Sequence, residues 1–142
     1  MQDIAQWGEV TLIVHTDDAI FEFTGAVPAG EVGRGYFQPD AAQRACTATS
    51  RHERCDAIAF VERPFMGKSS AFIAFINVDG GIMFKVFVGR DEARALRGDQ
   101  LERFHSLADR IAPYRRGLSR TLNPGGDHAA GVYGDAMKPF AS

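Results

Sequence analysis

Hydrophobic and polar positions alternate with a period of two through most of the first ninety or so residues, the signature of strands with one buried face. Val10, Leu12 and Val14 alternate with Thr11, Ile13 and His15, and a second run sets Phe21 and Phe23 against Ile20, Glu22 and Thr24. Thr16-Asp17-Asp18 between them is a tight polar turn. Ala26 to Gly35, with Pro28 and its glycines, reads as a loop, and Arg34-Gly35-Tyr36-Phe37 begins another extended segment. Gln38 to Glu53 is polar and aperiodic, and is expected to be a loop or irregular edge.

Three β-rich runs follow, Ala57 to Glu62, Ala71 to Val78 and Ile82 to Gly89, separated by Arg63-Pro64-Phe65-Met66-Gly67 and by Asp79-Gly80-Gly81. The Asp-Gly-Gly segment supplies the positive φ that short hairpin turns need, which predicts antiparallel pairing of Phe72–Val78 with Ile82–Val88. From Asp91 the period changes to 3.6, with Ala93, Leu96, Leu101, Phe104, Leu107, Ala108 and Ile111 on one face. This predicts a helix capped by Asp91, stopped by Pro113 and packed on one face of the sheet. Strands first and a helix last make the class α+β, an antiparallel sheet with a C-terminal helix on one face. Residues 1–112 form the expected domain, and 113–142, rich in glycine and proline, a flexible tail.

The hairpin strands are apolar on both sides. Ile82, Phe84, Val86 and Val88 are expected on one face and Met83, Lys85 and Phe87 on the other. A helix covers one face only, so the second requires another sheet, a second copy of the chain or a large flat ligand. Eleven phenylalanines in 142 residues keep the last two readings open.

Charge narrows the function. Sixteen basic and eighteen acidic side chains give a formal net charge of −2 without basic clustering, which argues against a nucleic-acid partner. No apolar run approaches the roughly 20 residues of a spanning helix, and no membrane partner is expected. The segment Met-Gln-Asp-Ile-Ala-Gln-Trp lacks an export signal, so a cytoplasmic location is expected, with Cys46 and Cys55 reduced. The sequence contains no Gly-x-Ser-x-Gly elbow, no His-Glu-x-x-His and no phosphate-binding loop, so a catalyst is the less favoured reading. His15, at a strand end, and His52, in the polar loop, are the histidines best placed to meet a ligand; His105 and His128 are expected to be surface residues. A single protein ligand suffices for an iron already held by a porphyrin.

The strings Trp7-Gly8-Glu9-Val10-Thr11-Leu12-Ile13-Val14-His15-Thr16, Gly33-Arg34-Gly35-Tyr36-Phe37, Glu62-Arg63-Pro64-Phe65-Met66-Gly67 and Met83-Phe84-Lys85-Val86-Phe87-Val88-Gly89-Arg90-Asp91 carry more. They occur in this order in the cytosolic haem utilisation carriers of the ChuX/HutX type, which the chain resembles from about Ile4 to Leu107. The resemblance implies a homodimer whose sheets pair as in the related HemS-like haem proteins. It also implies haem b as cargo, handed to a haem-degrading enzyme for iron acquisition. The family's haem-associated histidine falls on His15, with Tyr36 as an alternative axial ligand. Thr49 stands where many members carry a histidine, and His52 is the residue near enough to replace it. Haem also needs apolar contacts on its faces and cations at its edge. Phe87, Met83 and Tyr36 are expected to supply the first, and Arg34, Lys85 and Arg63 the second. The alternatives are an enzyme that degrades haem itself and a flavin-binding or structural dimer of similar architecture.

Overall fold

A computed structural model describes residues 1–39, 50–111 and 131–134. The strand order is set by two local hairpin systems joined at the front of the chain. β1 (Glu9–His15) turns back through Thr16, whose amide donates to Ala19 O at 2.8 Å, into β2 (Ile20–Ala26). β5 (Cys55–Phe65), β6 (Lys68–Asn77) and β7 (Ile82–Phe87) form a meander, and β1 pairs with β7 while β8 (Gly131–Gly134) pairs with β5, to give the order β2-β1-β7-β6-β5-β8, antiparallel throughout.

The Asp79-Gly80-Gly81 hairpin forms as expected. Gly80 takes φ +84°, and the Asn77 side chain accepts from the amides of Asp79 and Gly81, both at 2.9 Å. The first two strands of the meander run further than their apolar periods indicate. Met66 (φ +50°) and Gly67 (φ +75°) alone make the turn between them, so Arg63, Pro64 and Phe65 remain in β5. Pro64 lies beyond the stretch Ala57–Phe60 that pairs with β8, where β5 is an outer strand and a missing amide is tolerated.

Two further expectations are corrected. Residues 30–33, expected as loop, form β3 (Gly30–Gly33), which pairs with β4 (Tyr36–Pro39) as a separate two-stranded hairpin. Arg34 (φ +54°) and Gly35 (φ +80°) are its two turn residues, so the dipeptide is a hairpin turn rather than the lead-in to a strand. The helix α1 (Gly98–Ile111) starts one and a half to two turns later than expected. Asp91 instead closes a tight turn, its carboxylate accepting from the Ala95 amide at 2.9 Å, and Arg94 at φ +62° makes helix impossible there. In the C-terminal region, Gly131–Gly134 forms the edge strand β8 on β5. Cys46, Thr49, His128 and the remainder of 113–142 lie outside the described residues.

Both faces of the sheet carry a buried apolar cluster, as the hairpin pattern requires. The inner face, under α1, holds Val10, Ile58, Phe60, Ile73, Phe75 and Val86 with Phe104 and Leu107 of the helix. Phe104 meets Phe60 edge-on at 5.2 Å between ring centroids, a favourable aromatic geometry. The outer face holds Ala57, Ala59, Val61, Phe72, Ala74 and Ile76, with Phe87 packed against them. Fully buried Gln100 fastens the helix to the sheet. Its amide donates to Trp7 O (2.9 Å) and Glu9 O (2.8 Å), and its oxygen accepts from the Gly89 amide at 2.7 Å.

Met83 departs from its expected face. The β6–β7 register shifts between Phe75↔Phe84 and Ile76↔Ile82, leaving Met83 as the extra residue of a bulge. Its side chain packs with Phe84 on the inner cluster instead of beside Lys85.

Candidate functional site

On the inner side, the β3–β4 hairpin, the short 3-10 turn Ile4–Gln6 and the end of α1 stand off the sheet and border two cavities of about 390 and 370 Å³. Phe37, Ser50, Met83 and Phe84 line both, so the two share a wall. The larger is walled by Ile58, Phe60, Ile73 and Phe75 of the sheet and by Leu107 and Ile111 of the helix. The smaller lies against Leu12, Val14, Phe23 and Val27. Both are in the size range of small-molecule sites, and their walls are mostly apolar and aromatic.

A second 3-10 turn, His52–Arg54, places the polar groups. His52 lines the larger cavity, and its Nδ1 is buried with no hydrogen-bond partner among the described residues. Buried polar nitrogens are nearly always partnered, by protein or by ordered water, which makes His52 a candidate ligand-binding group. Arg51 and Arg54, on either side of His52, line the smaller cavity. Arg51 Nε donates to Tyr36 Oη at 3.1 Å, with its guanidinium 5.5 Å from the Tyr36 ring centroid, and Arg54 pairs with Asp79.

The residues named from sequence divide into separate groups. Phe87 and Lys85 pair with Thr11 and Ile13, which places His15, two residues further on, toward the outer face with them. Phe72 is the centre of that face: Phe87 lies 4.7 Å from it, and Lys85 Nζ and Arg63 Cζ sit over its ring at 5.2 and 5.7 Å. His15 is exposed at the end of β1 and lines neither cavity. Arg34 is exposed at the β3–β4 turn, and Tyr36 lies behind Arg51. Met83 and His52 belong to the inner site. Sequence reading missed Phe37, Phe84, Arg51 and Arg54 as cavity residues; the only signal for the arginines was the local density of charge around His52.

Cys55 also lines the larger cavity as a free thiol, and burial pushes its pKa up. The folded chain therefore holds the thiol proton more tightly than the unfolded chain does. The part of the stability that this contributes is lost as pH rises above the ordinary thiol value. In a Cys46→Ser background, Cys55 is expected to resist a thiol-specific reagent at neutral pH and to react at once in denaturant. Rapid labelling of the native protein would show that the thiol is open to solvent.

Beneath the antiparallel sheet and its one helix, two adjoining aromatic cavities, lined by one imidazole and by the guanidiniums of Arg51, Arg54 and Arg110, make a candidate small-ligand site. The comparisons give the family. The model of the family described as haem utilisation ChuX/HutX matches residues 1–107, and the chain belongs to that family. It is 33% identical over 107 residues to the intracellular heme transport protein HutX of Vibrio cholerae, across 75% of this chain and 55% of that protein. The chain thus spans about half the length of this curated relative. Among solved structures, the heme binding protein ChuX is similar at 40% identity with a TM-score of 0.71, covering 77% of this chain and 68% of its own. Holo-PhuS, a heme-binding protein from Pseudomonas aeruginosa, shares the fold at 17% identity and a TM-score of 0.63, over 72% of this chain and 30% of its own. Among the described residues, no helix is long and apolar enough to cross a membrane.

Proposed function

We propose that the chain carries haem b in the inner cavity as cargo and passes it to a haem-degrading enzyme, serving iron acquisition in the cytoplasm. The observation that carries this reading is His52, an imidazole that lines an aromatic, apolar cavity and whose buried Nδ1 has no hydrogen-bond partner among the described residues, in a chain of the haem utilisation family. The donor set fits the cargo. A porphyrin satisfies four positions of its iron and asks the protein for one or two, and a neutral imidazole is a common donor. Phe37, Phe84 and Met83 offer polarizable and aromatic contacts to the macrocycle. The sequence has no Cys-x-x-Cys-His motif for covalent attachment, which favours haem b. A single axial imidazole holds cargo exchangeably, which a carrier needs. A homodimer, which the family resemblance implies, belongs to this reading.

Titration of the purified protein with ferric haem, followed by absorbance and by size-exclusion in the same buffer, tests the reading. Saturable binding near one haem per subunit, with a shifted Soret band on a dimeric species, is the expected result. Loss of the Soret band on adding a reductant under air would instead identify an enzyme that opens the ring. Absence of saturable binding would remove the haem reading.

A further inference from the structure

The smaller cavity has walls for an apolar ligand and cations for an anionic one. Leu12, Val14, Phe23 and Val27 supply the first, Arg51 and Arg54 the second. Arg54 already has a carboxylate partner in Asp79. Arg51 differs: its partner is the Tyr36 side chain, and no carboxylate pairs with it among the described residues. The hydrogen bond from Nε and the ring under the guanidinium fix its orientation, and no partner of its terminal nitrogens is found among the described residues. A guanidinium beside an apolar cavity is a preorganised seat for a carboxylate, since the two can join through parallel charge-assisted hydrogen bonds.

Resting on the haem reading above, we propose that the smaller cavity takes the propionate edge of haem, with Arg51 as its carboxylate anchor and Tyr36 as the residue that positions Arg51. The division of labour follows from Arg51 and the short turn His52–Arg54 after it, which together present an imidazole to one cavity and two guanidiniums to the other across the shared wall. Haem has the same division, a metal at the centre and carboxylates along one edge. The cations expected from sequence are placed elsewhere. Lys85 and Arg63 stand over Phe72 on the outer face, and Arg34 is at an exposed turn. Arg110 lines the larger cavity but pairs with Asp3.

Haem and its dimethyl ester, which lacks the carboxylates, separate the contributions. The native chain is expected to bind haem about tenfold more tightly than the ester. Arg51→Gln is expected to lower haem binding to the level of the ester and to leave ester binding unchanged. Tyr36→Phe is expected to weaken haem alone and by less, because Arg51 keeps its charge but loses its hold; a Tyr36 that ligated iron would on substitution weaken haem and ester alike. Circular dichroism and the thermal midpoint verify that each variant is folded. Equal affinity of the native chain for haem and ester, or an equal loss of both in Arg51→Gln, would overturn the assignment while leaving haem binding in place. Failure of the native chain to bind either would remove the haem reading itself.

Discussion

His52→Ala is expected to weaken ferric haem binding at least about tenfold, equivalent to ~1.4 kcal/mol, and to move the Soret band, whereas His15→Ala changes both far less. Geometry and family resemblance point to different imidazoles here. The resemblance selects His15, which is exposed on the outer side of β1 and lines neither cavity. Geometry favours His52, which lines the larger cavity and whose buried Nδ1 has no partner among the described residues. Removing an unsatisfied buried nitrogen does not break a hydrogen bond among the described residues, so the His52 variant should fold, and a loss of affinity reports on the ligand. A larger loss in His15→Ala would transfer the iron to the outer face, beside Lys85 and Phe87, and would refute the inner site.

Gly89→Ala is expected to cost about 3 kcal/mol of folding stability, read as a lower urea midpoint. A β-carbon at Gly89 would lie 2.6 Å from Glu9 O and 3.0 Å from Gln100 Oε1. The first is backbone that cannot move without separating β1 from its neighbours. The second belongs to the side chain that satisfies three backbone groups at once, so displacing it leaves buried donors and acceptors unpaired. Gly98→Ala is the control: a β-carbon there meets nothing within 4 Å, and the residue opens α1, so no loss is expected. An unchanged midpoint for Gly89→Ala would show that the clamp yields, contrary to the packing described.

How much of this could be read from the chain depends on how local each cause is. The β6–β7 hairpin was legible because Asp79-Gly80-Gly81 carries its turn chemistry in three adjacent residues. The helix was legible from Leu101, Phe104 and Leu107, but its start was not, since Asp91 satisfies a helix cap and a tight turn equally well. Arg34 takes a positive φ that sequence assigns to glycine or asparagine, which hid the β3–β4 hairpin. Alternation puts Met83 on the wrong face because it assumes an unbroken register, and the bulge breaks it. The cavities were the least legible feature. They arise where β3–β4 and α1 fail to close on the sheet, a tertiary gap with no period of its own, and His52 acquires its meaning only from that gap.

The pairing of β1 with β7 joins segments far apart along the chain, Thr11 to Phe87 and Ile13 to Lys85. The β1–β2 hairpin and the β5–β6–β7 meander are local and can form early. Their union closes a long loop, and non-local closures of this kind are the slow events of β-protein folding. During synthesis the first hairpin therefore waits with one edge uncovered until β7 emerges. The smaller cavity is built across that seam, with Leu12 and Val14 contributed by β1 and Phe84 by β7. A ligand seated there would bind only the finished sheet, so its occupancy and the completion of folding would be one coupled equilibrium, and on the function proposed above haem would complete the fold of the chain that holds it.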